Sequence, residues 1–146
     1  MTKLKLIIIT FVIFINFNSL NAQSVEEIIK GRKAMFSENY QTGKKISILL
    51  KSKKIEEAKP LMKKMSANYK KLLNYFPENT KEGFKTEALP SIWENKDEFN
   101  ALMQKASDDM LKLAKAIDTA EDLRAVQKEL MWSNCSACHS RFRAPH

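Results

Sequence analysis

The chain has 146 residues, of which 44% are hydrophobic and 29% charged, and a formal net charge of +8 at pH 7. That length suits one domain of ordinary size with a core of its own. The lysines are scattered rather than clustered, so the positive balance reads as a solvated surface and not as a nucleic-acid-binding patch. With three glycines, four prolines, no alternating apolar runs and no internal repeats, helical periodicity carries the rest of the reading.

Residues 1–22 read as a secretory signal peptide. Lys3 and Lys5 form a basic start, Leu6 to Ile15 an apolar run broken only by Thr10, and Ala22 offers a small residue at the cut. The run is too short to span a bilayer comfortably. Residues 23–146 are therefore expected as an exported, periplasmic domain that does not span the membrane once the signal is removed.

That domain opens on a capping box, Ser24 with Glu27 three residues on. Val25, Ile28, Ile29, Arg32, Met35 and Phe36 then share one helical face, which continues through Tyr40, Gly43, Ile46 and Leu50. Gly43 weakens the second half, and residues 51–54 read as a turn. The second helix has the most regular stripe: Ile55, Ala58, Met62, Met65, Tyr69, Leu72 and Phe76. Pro60 lies off that face and is expected to bend the helix or delay its start. Pro77 ends it, and residues 78–90 form a polar connection closed by Pro90.

Ser91 with Glu94 marks the third helix, whose stripe is Phe99, Leu102, Met103, Ala106, Met110, Leu113 and Ile117. Thr119 with Asp122 is expected to cap the fourth. Two adjoining strips follow on it, Leu123, Val126 and Leu130, then Met131, Cys135, Cys138 and Phe142. Four amphipathic helices with two short turns and one longer connection make an all-α protein, an antiparallel up-down four-helix bundle.

The last helix carries Cys135-Ser136-Ala137-Cys138-His139, which uses both cysteines of the chain. A C-x-x-C-H run reads as a c-type haem attachment site. Residues three apart share a helix face, so both thiols can form thioethers to the vinyl groups of one porphyrin. The adjacent histidine can then bring an imidazole under the iron. A thioredoxin-like pair would need a strand-then-helix setting, a structural zinc site four ligands, and a plain disulfide an oxidising compartment. The histidine, the export signal and the helical setting agree on haem. Trp93 and Trp132 read as core or haem-edge aromatics.

Further residues fall into a recognisable order. Arg32-Lys33-Ala34-Met35-Phe36 lies in the first helix, and Phe76-Pro77 ends the second. Pro90-Ser91-Ile92-Trp93 precedes the third, with Phe99 after it, and Phe142-Arg143 follows the haem motif. Together these resemble the class II c-type cytochromes, cytochrome c′ and its low-spin relatives. Class I cytochromes carry the motif near their N-terminus; a motif on the last of four helices distinguishes class II. The resemblance implies one covalent haem c on Cys135 and Cys138, with His139 as proximal ligand of the iron. It places Arg32 by the haem propionates, which suits a guanidinium facing carboxylates. An arginine snorkelling to solvent is the bland alternative.

The resemblance also puts the residue four after that arginine on the distal side of the iron. Here it is Phe36, which cannot ligate. Met35 could serve as sixth ligand only if the helix turned by about 100°. With Phe36 over an open iron, the pocket is expected to be apolar and without a hydrogen-bond donor, binding NO or CO rather than oxygen. With Met35 on the iron, a simple electron carrier results. Both versions pass single electrons to redox partners with acidic surfaces, and the resemblance allows a homodimer. A peroxidase-like enzyme would need a distal acid or base. No histidine precedes His139, and Arg32 and Tyr40 are the polar candidates on that face, so the chain is read as a non-enzyme.

Overall fold

The computed structural model describes residues 23–145, so the signal-peptide reading of 1–22 lies outside the described residues. Helix α1 spans Val25–Lys51 and α2 spans Ile55–Leu72. A 3₁₀ turn, Glu78–Thr80, sits in the long connection. The short α3, Ser91–Glu94, leads into α4, Lys96–Ala116. The fourth arm of the bundle is composite: α5, Leu123–Gln127, a π-helical turn, Lys128–Trp132, and α6, Ser133–Phe142. Helix α2 packs most extensively against α4 and next against α1, while α4 also supports the π turn and α6. The result is the expected antiparallel four-helix bundle.

The capping box at the start of α1 is formed as expected: Glu27 N donates to Ser24 Oγ, and Ser24 N to the Glu27 carboxylate. Gly43 does not interrupt the helix. It lets α1 approach the π turn, since a Cβ there would stand 3.1 Å from the Trp132 ring and 3.6 Å from Met131 Sδ. Pro60 does not delay α2, which starts at Ile55 and runs through it to Leu72. Pro60 and Glu56 are both exposed, so water replaces the helical donor that Glu56's carbonyl loses.

A helix does start at Ser91, but two expected caps are corrected. Ser91 is not a cap; its hydroxyl donates to Arg141 O at 2.8 Å, tying α3 to α6. The long helix begins only after Asn95, whose φ −123° and ψ 49° break the path. Thr119 does not cap the fourth arm either. Asp122 does so alone, its carboxylate accepting from Arg124 N at 2.9 Å and Ala125 N at 3.0 Å.

The two strips of the fourth arm are one seam interrupted by the π turn. A turn closed by i→i+5 bonds carries an extra residue, and that residue moves the inward face from Leu123, Val126 and Leu130 to Met131, Cys135, Cys138 and Phe142. Met131 and Phe142 end up buried, and both cysteines half-buried.

The first stripe also needs a correction. Tyr40 is 56% exposed, and Asn39 takes the buried place beside it. The stripes of α2 and α4 are buried as expected, but α4 hides two polar residues besides, Ser107 and Asp109. Ser107 pairs with Ser66 across the α2–α4 contact at 2.8 Å.

Candidate functional site

A cavity of 680 Å³ opens between α1, α2, α6 and the long connection, within the range of small-molecule and cofactor pockets. Cys135, Cys138 and His139 all line it, as do Arg32 and Phe36. Thus one wall collects the haem motif, and α1 supplies residues that the sequence reading assigned to the same group. Met35 is not on this wall; it is half-buried against the hydrophobic core.

Cys135 and Cys138 are not joined in a disulfide, and burial discourages ionisation of the unattached thiols. Desolvation raises both, and Cys138, next to Cys135, reaches about 11. A thioredoxin-like pair works the other way, lowering a thiol to favour the thiolate. The helical surroundings and the raised thiols both argue against that alternative. His139 is exposed on α6, at the cavity's edge.

Arg32 is 2% exposed and does not snorkel to solvent. Its Nη1 donates to Tyr75 O at 3.2 Å and Thr80 Oγ1 at 2.9 Å. Its Nη2 donates to Thr80 O at 2.9 Å and Thr86 Oγ1 at 2.6 Å. The guanidinium also lies 4.7 Å from the Phe76 ring centroid. Burial lowers its pKa only to about 10, so it stays charged at neutral pH. An inward arginine called for an anionic partner on sequence grounds. The fold satisfies it with four neutral oxygens of the long connection, and Arg32 thereby pins that connection to α1.

The same connection draws in two further cations. Lys33 Nζ donates to Lys85 O at 2.9 Å, and Arg143 Nε to Glu87 Oε2 at 3.0 Å. Both residues line the cavity. Leu89 N to Phe142 O at 3.1 Å and Ala144 N to Glu87 O at 2.8 Å clip the connection to the tail of α6. Arg32, Lys33 and Arg143 therefore gather around residues 85–88 at one end of the cavity.

Three positions carry weight that sequence reasoning missed. Asp109 is buried on α4 and binds Asn134 Nδ2 at 3.0 Å, along with Lys105 and Lys112. Burial pushes its carboxyl up, but the hydrogen bonds from Lys105, Asn134 and Lys112 outweigh that and hold it below the usual value. The signal lay in the lysines four before and three after it. Asn39 and Tyr69 face the cavity from α1 and α2, with the Tyr69 hydroxyl beside Cys135 and Asn39. Both bring polar groups to a cavity that the sequence reading expected to be apolar around Phe36. Asn39 was hidden by Tyr40, whose ring fitted the stripe better, and Tyr69 was taken as core alone.

Phe36 sits half-buried in the wall, edge-on to Phe76 at 6.4 Å between centroids. Trp132 lines the cavity, while Trp93 is core and donates its indole N–H to Phe76 O and Pro77 O, both at 3.1 Å.

A helical bundle with two cysteines and an adjacent histidine set along an aromatic-walled cavity has the make-up of a haem-attaching protein. The comparisons with known proteins agree. A sequence profile described as cytochrome c′ matches residues 27–143. The cytochrome c′ of Rhodopseudomonas palustris is 31% identical over 144 residues, covering 97% of this chain and 98% of that protein. A solved cytochrome c′ structure from Rhodopseudomonas palustris superposes with a TM-score of 0.65 at 29% identity, over 84% of this chain and 98% of that one. A ferrous R124K variant of cytochrome c′ from Alcaligenes xylosoxidans, solved with bound NO, shares the fold at a TM-score of 0.72 and 20% identity, over 86% and 99% of the two chains.

The chain belongs to the cytochrome c′ family. Its cofactor is covalently bound haem c with its iron, and the cavity fits that group: two thiols and an imidazole on α6, aromatic walls and a cationic end.

Proposed function

We propose that the protein is a periplasmic haem carrier of single electrons whose iron keeps an open distal side able to bind NO or CO. The observation that supports this best is the placing of two neighbours on α1. Phe36, which has no ligating atom, lines the cavity, and Met35 does not.

When bound, the haem supplies a one-electron iron centre and a site for diatomic ligands. The chain's own groups do the rest. Cys135 and Cys138 anchor the macrocycle through their sulfurs, and His139 offers its imidazole to the metal. Phe36 would cover the distal side of the bound group and shield it from water. The cations around residues 85–88 would balance its two propionates, Lys33 and Arg143 assisting Arg32, whose terminal N–H groups already hold the connection. A relative of the same fold has been solved in its ferrous form with bound NO.

The chain is proposed as a carrier and ligand-binding protein, not an enzyme. Its basic surface suits redox partners with acidic surfaces, with a homodimer as a further assembly and no role for nucleic acid. Among the described residues no helix is long and apolar enough to cross a membrane.

The test is the absorption spectrum of the exported ferrous protein before and after CO. An immediate spectral change supports the open iron; indifference to CO means a sixth protein ligand and overturns it. Replacing both Cys135 and Cys138 by alanine abolishes covalent attachment, so acid–acetone then extracts all haem.

A further inference from the structure

Away from its cationic end the cavity has a second polar corner, on α1 and α2. Asn39 is 3% exposed and lies three residues after Phe36, on the same face of α1. Its amide orientation is settled by its neighbours. Asn68 Nδ2 donates both to the Glu38 carboxylate and to Asn39 Oδ1, each at 2.9 Å. The atom of Asn39 that meets Asn68 is thus the oxygen, and Nδ2 points elsewhere. Nδ2 is buried and makes no hydrogen bond of good geometry; its polar neighbour is the Tyr69 oxygen. Such a group is costly to bury, and in folded proteins it normally has a bound water or ligand as its partner.

Tyr69, 7% exposed, completes the corner from α2. Its hydroxyl stands beside Asn39 and Cys135. Once Cys135 is a thioether, its sulfur is a weak acceptor only, so the phenolic proton too lacks a strong acceptor in the protein. The Asn39 amide and the Tyr69 hydroxyl thus meet at the cavity with the phenolic proton and one amide N–H available to a bound molecule, and a hydrogen bond to such buried groups is strengthened by the low dielectric.

We propose that Asn39 and Tyr69 form a hydrogen-bonding corner of the haem cavity for a small molecule with an acceptor atom, namely a diatomic such as NO held at the haem. This rests on the open-iron reading above and adds selectivity to it. A donor aimed at the bound ligand favours diatomics that accumulate negative charge, NO and oxygen, over CO. The wall thus makes the protein a discriminating binder rather than a passive pocket.

The test uses exported, haem-loaded protein and two variants, Asn39→Leu and Tyr69→Phe. The second removes a single oxygen and leaves the fold intact. Thermal melting and haem content serve as controls. The infrared stretch of the ferrous CO adduct and the NO dissociation rate are measured. The proposal expects a lower C–O stretching frequency in the parent than in either variant, and NO release about fivefold faster in the variants, the effect of one lost hydrogen bond. Adducts with the same stretch and the same release rate in all three proteins overturn the corner alone. Failure of the parent to bind CO or NO overturns the open-iron reading, and the corner with it.

Discussion

Asn134 Nδ2 donates to Asp109 Oδ2 at 3.0 Å, and the next residue is Cys135. A buried carboxylate on α4 therefore sets the rotation of the haem-bearing helix one residue ahead of its first thiol. Lys105 closes the ring by donating to Asn134 Oδ1 at 3.1 Å as well as to Asp109. Nothing in the C-x-x-C-H motif itself aims the sulfurs into the cavity; this network helps do so from a neighbouring helix.

Asp109→Ala should destabilise the fold by about 2 kcal/mol, because it leaves Asn134 without its buried acceptor. The pH dependence has a definite sign. The folded carboxyl lies below its usual value, so the network stabilises above the unfolded pKa of about 3.9 and is lost as pH falls through the lower, folded one. Urea unfolding at pH 7 and at about pH 3 checks both points: the gap between parent and variant should shrink in acid. An equal gap at both pH values would show that Asp109 does not act through its charge.

Arg32→Lys should release the long connection. One ammonium cannot span the four acceptors that the planar guanidinium reaches, and a loss of about 3 kcal/mol is expected. Amide hydrogen exchange should quicken across residues 75–86 more than in the bundle. A purely global change would mean that Arg32 supports the core rather than this segment.

Phe36→Met should place a thioether on the cavity wall and abolish CO binding by the ferrous protein. Met35→Ala should leave the ferrous spectrum and the CO response unchanged, costing about 1 kcal/mol of stability from a half-buried side chain. The pair is decisive because the residues are adjacent: loss of a low-spin spectrum in Met35→Ala would reverse the assignment.

Gly43→Val should cost about 2 kcal/mol by overpacking against Trp132 and Met131. Gly43→Ala gains helix propensity of about 1 kcal/mol but meets the Trp132 ring at 3.1 Å, so little net gain is expected. Thermal unfolding of both variants measures the balance. A stabilised Gly43→Val would mean that α1 and the π turn are not closely packed.

The helices and the haem motif were legible because their signals are local. A stripe at helical spacing such as Ala58, Met62, Met65, Tyr69 and Leu72 is written in consecutive turns, and the two thiols and the imidazole follow one another in the chain. The caps misled where two signals compete. Thr119 and Asp122 fit a capping pattern, yet Asp122 alone caps, since its carboxylate reaches two backbone N–H groups without help. The π turn was invisible because helical spacing continues on either side of it; only the shift from one strip to its neighbour betrayed it.

Hydrophobic periodicity was enough to set the bundle, the C-x-x-C-H spacing to point to haem, and the resemblance of short residue runs to point to the family, because each depends on residues within a turn or two of one another. The environment of the cavity was decided by contacts between distant segments. Arg32 satisfied by the oxygens of Tyr75, Thr80 and Thr86, Asp109 aiming Asn134, and Asn39 buried while Tyr40 stays half out in solvent against Trp132 all depend on which helix lies opposite. Polar side chains are placed by the partners that desolvation forces them to find, and those partners exist only once the chain has folded.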